Sequence, residues 1–391
     1  MGKKNILIVG GGFAGTSALK HLAGKRKLGR DFKVTLIDCK DSFEFLPVLP
    51  DIIGGWLEPK NAIINLKEFS LKYGADFIKG QVKKIDFSAK KVFLGGNSID
   101  YEYLALCSGA ETNFFNNQGA RASCLKLDTV GDALRINEKI LEKAKNKKKV
   151  NIVIIGAGYT GIEIATNINY LLRNKANYKI YLLERSSDIL GMVPDWMRRE
   201  VKRELEVLGI EIICSDSLKE HRRETIFLES GKNIDDAICI WSAGVKAASF
   251  VESMDVEKER TRIKVKDNLK IENEGYQDVF VAGDAASFYD QKSKNNLRMA
   301  IMFAIGQGKI VARNILNSIS GKPFQKYNPV DLGYIIPMAH GKAPGFVLSR
   351  RVHGRLGYFM HYFMCVYRSN RQNKIGIMKD LLFKAKKLRS K

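Results

Sequence analysis

Two stretches of the chain share one order of apolar and special positions. Ile6-Leu7-Ile8-Val9 is an unbroken apolar run that meets Gly10-Gly11-Gly12-Phe13-Ala14-Gly15 and then apolar positions at helical spacing. Ile152-Val153-Ile154-Ile155 meets Gly156-Ala157-Gly158-Tyr159-Thr160-Gly161 and a second helical pattern. Short runs that are apolar on both faces predict buried strands, and the switch to helical spacing predicts a strand–turn–helix unit. A second apolar strand follows each unit. Val34-Thr35-Leu36-Ile37 ends at Asp38, and Ile180-Tyr181-Leu182-Leu183 ends at Glu184. Each acid stands 23 residues beyond the third glycine of its turn.

That spacing carries chemistry. The first glycine, Gly10 or Gly156, permits the tight turn. The second, Gly12 or Gly158, leaves room for a pyrophosphate beside the backbone, and the third, Gly15 or Gly161, lets helix and strand approach. Free N–H groups at the helix start then face the phosphates, and the acid about 20 residues on meets a ribose hydroxyl. One G-x-G-x-x-G is weak evidence, because a glycine-rich turn can bind nothing. Two copies, each with strand, helix and acid, predict two bound dinucleotides and an electron relay between them.

The remaining pattern fills in the plan. After Asp38 comes an apolar loop, 41–50, with two prolines. Alternating short runs over 74–100 predict small strands, with Gly95-Gly96 as a turn. Tyr103-Leu104-Ala105-Leu106-Cys107 reads as a buried strand ending at Ser108-Gly109. The segment 126–149 reads as a helix closing in a basic linker, Lys145 to Lys149. Ala237-Ile238-Cys239-Ile240-Trp241 ends at Ser242-Ala243-Gly244, and Val279-Phe280-Val281-Ala282 ends at Gly283-Asp284 before a helix around 298–317. The expected class is α/β, with two Rossmann-like dinucleotide-binding domains, one inserted in the other. The expected bounds are 1–149 and 263–325 for the outer domain, 150–262 for the inserted one, and 326–391 for a C-terminal segment.

Charge and cysteine usage change this picture in two places. The chain has 65 basic and 42 acidic residues, a net charge of +23. Thirteen Lys/Arg against the single acid Asp380 fall in 341–391, which points to an anionic partner surface. No nucleic-acid motif accompanies that charge, so a nucleic-acid partner is not expected. The six cysteines form no C-x-x-C, and most sit in strand-like runs as small core residues. A pair distant in sequence stays open. The histidines have no metal-ligand spacing, so no metal site is expected. The first motif's strand, Ile6 to Val9, stands at the start of the chain, and no signal peptide is expected before it.

With these segments in place, the chain resembles the two-dinucleotide flavoprotein reductases, and among them the type II NADH dehydrogenases. The resemblance rests on the two glycine turns, Phe45-Leu46-Pro47-Val48-Leu49-Pro50, the run Tyr101 to Gly109 with Thr112-Asn113-Phe114-Phe115, Trp241 to Lys246, and Val281-Ala282-Gly283-Asp284. It implies FAD at Gly10, Gly12, Phe13, Ala14 and Gly15. Asp38 would take the adenosine ribose, with Val82 near the adenine and Ser108 and Gly109 beside the cofactor. Gly283 and Asp284 would hold the ribityl chain and pyrophosphate, with Met302 and Ala304 at the flavin. It implies NAD(H) at Gly156, Gly158, Tyr159, Thr160, Gly161, Glu184 and Gly244. A carboxylate at Glu184 repels a 2′-phosphate and favours NADH, while Arg185 softens that preference.

Two residues match the family's functional positions, Glu163 near the nicotinamide and flavin, and Gln307. The alternative for Glu163 is an acid in the first helical turn serving only the helix dipole, and for Gln307 a surface helix residue. The family often carries A-Q-x-A-x-Q-Q-G where this chain has Ile301-Met302-Phe303-Ala304-Ile305-Gly306-Gln307-Gly308. Met302 and Gly306 thus replace two glutamines, which opens the identity of the acceptor. The resemblance implies NADH oxidation with two-electron transfer to a membrane quinone. A sulfide:quinone oxidoreductase on the same scaffold, and an NADH-sensing flavoprotein with little quinone turnover, are the rival expectations.

The tail carries one further signal. Its longest run free of charged residues, 356–367, has 12 residues, short of the roughly 20 that span a bilayer. Met378, Leu381, Leu382, Ala385 and Leu388 fall on one helical face, with Lys379, Lys384, Lys386 and Lys387 largely opposite. Such a helix lies in an anionic membrane interface. The expected location is peripheral, on the cytoplasmic face of a membrane, and a homodimer stays open.

Overall fold

The computed structural model describes residues 3–22, 31–146, 149–273, 275–276, 278–369 and 371–389. Lys147 and Lys148 of the expected basic linker lie outside these residues, as do the side chains of Lys387 and Leu388. The chain forms two compact units. The first comprises Met1–Phe43, Ile64–Glu111 and Val245–Asp331; the second comprises Glu44–Ile63, Thr112–Gly244 and Leu332–Lys391.

The first unit is organised by a parallel sheet. Strand β1 (Lys4–Val9) leads through a turn into helix α1 (Phe13–Leu22), and β2 (Phe32–Asp38) returns beside β1. Asp76–Lys79 pairs on the far side of β2, and Tyr103–Leu106 and Val279–Val281 extend the sheet beyond β1. Ile6, Leu7, Ile8, Leu36 and Ile37 have no exposed surface, as expected of strands covered on both faces. The helix Ile301–Ile319 packs along α1. The approach is close because Gly308 lies against the Ala14 carbonyl oxygen, which any Cβ at 308 would overlap.

The second unit repeats the plan. Strand β3 (Val150–Ile155) leads into α2 (Tyr159–Leu172), and β4 (Tyr178–Leu183) pairs with β3 in parallel. Glu211–Ile213 continues the sheet beyond β4. A small antiparallel sheet begins with β5 (Leu218–Arg222), which pairs with Thr225–Leu228. Strand β6 (Ala237–Trp241) completes the parallel sheet on the other side of β3. The unit ends in two helices, α3 (Gly354–Arg368) and α4 (Arg371–Arg389). Among the described residues no helix is long and apolar enough to cross a membrane.

Helix α4 corrects one expectation. Lys384 was expected on the solvated face, yet it is buried, with Nζ 3.7 Å from the centroid of the Trp56 ring and 5.3 Å from those of Tyr170 and Tyr358. Asn373, Ile377 and Lys384 are buried on α4, whereas Ile375, Met378, Leu382 and Phe383 remain exposed. The helix is pinned by Asp380, which accepts hydrogen bonds from the Glu58 N–H and Asn61 Nδ2.

Candidate functional site

In the first unit, Gly10 has φ +104°, and a side chain there would overlap the Cys107 carbonyl oxygen. Gly15 abuts the Gly10 carbonyl, which closes the turn onto its helix. Around Gly12, by contrast, a Cβ would find nothing within 4 Å. That open space at the start of α1 is where backbone N–H groups can take phosphate oxygens. The Asp38 carboxylate stands at the tip of β2. It accepts from the Gly11 N–H at 2.6 Å and from the Lys40 N–H at 2.8 Å. Phe13 and Ala14 open α1; the Phe13 ring meets Phe43 edge-on at 4.9 Å.

The rest of the first site comes from the ends of neighbouring strands. Ser108 and Gly109 follow Tyr103–Leu106, and Ser108 Oγ is buried with no hydrogen-bond partner. Gly283, at φ +74°, follows Val279–Val281 and packs on Ala14. Its N–H donates to Gln307 Oε1 at 2.7 Å, and Gln307 is buried. Gln307 is therefore no surface helix residue; it fixes the turn that carries Asp284. Burial raises the Asp284 carboxyl above the usual carboxylate range, opposed by the Arg262 guanidinium. Met302 and Ala304 lie in the first turn of the same helix. Tyr327 occupies the space a side chain at Gly306 would need, its hydroxyl 3.1 Å from a Cβ there. Val82 is buried at the start of Val82–Asp86.

The second unit rebuilds the same cradle. Gly156 has φ +101°, and a Cβ there would stand 2.6 Å from Ala243 Cα. Gly161 abuts the Gly156 carbonyl, while around Gly158 a Cβ again meets nothing within 4 Å. The Glu184 carboxylate accepts from the Ala157 N–H at 2.9 Å and the Ser186 N–H at 2.9 Å. Tyr159 and Thr160 open α2. Gly244 follows β6, and a Cβ there would stand 2.9 Å from the Phe115 ring.

Glu163 lies further along α2, past its first turn, which contains no acid. Service to the helix dipole thus does not explain it, because that effect fades beyond the first turn. Desolvation holds its carboxyl well above the usual range, and the Asp51 charge adds to the shift. Asp51 is a residue that sequence reasoning missed. Its Oδ1 accepts from the Tyr362 hydroxyl at 2.8 Å and is 3.4 Å from Asn167 Nδ2. Burial raises Asp51 to about 6, opposed by the Lys384 charge and by those two hydrogen bonds. Burial lowers Lys384 to about 7, opposed by Asp51. No local signal could have found this group, since Asp51 and Tyr362 are 311 residues apart.

A model of the pyridine nucleotide-disulphide oxidoreductases matches residues 4–308, most of the chain and both cradles. The chain belongs to that family. A type II NADH:quinone oxidoreductase of Staphylococcus saprophyticus is 25% identical over 377 residues, spanning 92% of this chain and 93% of its own length. The NDH2 of Plasmodium falciparum, solved in complex with NADH, superposes with a TM-score of 0.86 at 15% identity, over 97% of this chain and 98% of its own. The sulfide:quinone oxidoreductase of Aquifex aeolicus superposes at 0.79 with 20% identity, over 95% and 92%. These likenesses establish the α/β fold with its two parallel sheets.

The family chemistry often runs through thiols, and the first unit offers none that is primed. Burial pushes the Cys107 thiol, beside Ser108, up to about 12, so it stays protonated and unreactive near neutral pH. Burial also raises Cys39.

Proposed function

We propose that the protein oxidises NADH through FAD and passes the electrons to a quinone. The observation that carries this is the repeated cradle: an open turn at a helix start, with an acid already held at its ribose side, present once in each unit. The first unit fits FAD, because Ser108 Oγ is an orphaned buried hydroxyl beside the turn and Gly12 lies open. The second fits NADH, because the Glu184 carboxylate repels a 2′-phosphate.

When bound, FAD accepts a hydride from NADH and delivers two electrons to the acceptor. The chain's own residues orient and protect. Gly10 and Gly156 give the turns their close approach, Asp38 and Glu184 grip the riboses, and Gln307 locks the Gly283–Asp284 turn. Burial favours the protonated form of Glu163, which can donate its proton where negative charge develops. Met302 and Gly306, with Tyr327 filling the space at 306, leave quinone contact to shape and backbone rather than to a glutamine amide. A sulfide-oxidising role is disfavoured by the complete second cradle and the protonated Cys107.

Membrane attachment draws on the second unit's surface. Leu356, Phe359, Phe363 and Tyr367 recur every three or four residues along α3 and are all exposed. Ile375, Met378 and Leu382 do the same along α4, with Lys379 and Lys386 exposed among them. Apolar stripes rimmed by lysines bind an anionic membrane interface. We place the protein peripherally on a membrane, at the face rich in anionic lipid, which is the cytoplasmic one.

The test is the absorption spectrum of the purified protein. NADH is expected to bleach the flavin, and a soluble quinone analogue to restore the colour with steady turnover. No bleaching would remove the donor assignment. Bleaching without quinone turnover would remove the acceptor and leave the sensing alternative.

A further inference from the structure

The second unit contains a group of side chains that the cradle does not use. Cys124 caps the helix Gln118–Ser123, His221 lies on β5, and Cys239 sits in the middle of β6. Their sequence positions share no spacing, yet one ligand atom from each lies within 4.8 Å of the other two. The two sulfurs are 2.7 Å apart. Both ring nitrogens of His221 are buried and have no hydrogen-bond partner. The surroundings are apolar, with Cys124 and Cys239 packed among Ala120, Leu218 and Ile226.

We propose that Cys124, His221 and Cys239 form a site for a thiophilic divalent cation, zinc by preference. Three explanations of the close sulfurs compete: a thiol–thiol hydrogen bond, a covalent pair, or a shared cation. The imidazole favours the cation. A disulfide or a thiol–thiol hydrogen bond would leave both His221 nitrogens buried and unsatisfied, which is costly. A cation takes one of them as a ligand. Charge agrees, since two thiolates and a neutral imidazole around Zn²⁺ sum to zero, which an apolar pocket accepts. Zn–S bonds of about 2.3 Å and Zn–N bonds of about 2.0–2.1 Å set ligand atoms roughly 3.5–3.8 Å apart in a tetrahedron. The sulfurs must therefore part by about 1 Å on binding, within reach of a thiol rotation about its Cα–Cβ bond. Cys124 and His221 are only partly buried, so a fourth position can take water. Binding releases to solvent whatever protons the two sulfurs still carry. The cation would tie the helix Gln118–Ser123 and strand β5 to the central sheet at β6.

The test is equilibrium dialysis of the full-length, FAD-loaded protein against zinc under thiol-protecting conditions, with metal counted by mass spectrometry. Wild type is expected to retain one zinc per chain, to yield it to a strong chelator, and to gain melting temperature when it returns. Cys124→Ser and His221→Ala, both at partly exposed positions, are expected to lose the zinc and the temperature gain while keeping their flavin. Cys214→Ser should keep both. Zinc content in wild type equal to that of His221→Ala would overturn the site. So would a Cys124–Cys239 disulfide found by peptide mapping of protein purified with zinc present.

Discussion

The turn at Gly10 and the turn at Gly156 hold their acids alike and differ in what stands behind them. In both, one carboxylate oxygen accepts from the N–H after the first glycine and the other from the N–H two residues past the acid. The first cradle is walled more tightly. A Cβ at Gly11 would stand 2.5 Å from Leu66, whereas the matching Ala157 has its methyl accommodated and buried. The helix Ile301–Ile319 adds Gln307 and Gly308 to the first cradle. Extra walls suit a cofactor that stays, and their absence suits one that comes and goes. The second unit spends its remaining surface on the apolar stripes of α3 and α4.

The sharpest way to break this comparison is to put the same methyl in both turns. Gly10→Ala meets the Cys107 carbonyl at a positive φ, and Gly156→Ala meets Ala243. Each should cost about 3 kcal/mol or more of binding, on the order of a hundredfold. Gly10→Ala should purify colourless, and Gly156→Ala yellow but unbleached by NADH. Loss of flavin from both would end the distinction between resident and exchanging cofactor. Next in size, Phe359→Glu with Leu382→Glu removes two apolar contacts worth about 1.5–3 kcal/mol each when buried. Partition onto anionic vesicles should fall by about a hundredfold, with flavin content and bleaching unchanged.

Glu184→Gln is a finer probe. Losing a charge-assisted hydrogen bond should raise the KM for NADH by about tenfold and narrow the gap to NADPH. Flavin content should match wild type, because Asp38 is untouched. The smallest effect concerns the second unit alone. Lys384 has its pKa lowered from 10.5 to about 7 in the folded protein. The unfolded chain then holds the extra proton between those values, so stability rises as pH climbs from about 7 toward 10.5. Asp51, raised from 3.8 to about 6, acts lower down, and its contribution is lost as pH rises through that interval. Melting temperature should rise by a few degrees between pH 7.5 and about 9.5. Lys384→Met should flatten that slope; a slope kept in the variant would assign it elsewhere.

What was legible in the chain was whatever is written locally. Strand, glycine turn, helix and acid lie within about 30 residues, and each turn needs glycine for a reason of its own. The family resemblance followed from those segments. Asp51, Trp56, Tyr362 and Lys384 were not legible, because buried charged groups under aromatic rings have no spacing when they come from opposite ends of the chain. Lys384 was placed on the solvated side because charge normally is. The same limit hid Cys124, His221 and Cys239, each of which looks unremarkable within its own segment. Glu163 and Gln307 were singled out by resemblance, and their settings, desolvated for Glu163 and buried for Gln307, show why helix position alone could not rank them.

The ammonium of Lys384, enclosed by aromatic rings beside a carboxylate, makes the last helix a latch. Trimming the chain before Arg371 would do more than remove an exposed apolar stripe. It would uncover Trp56 and Tyr358, strand Asp51 without its counter-charge, and leave a greasy socket on the surface. The exposed apolar stripe proposed to meet lipid and the buried face that seals the interior belong to one helix, so neither can be removed without disturbing the other.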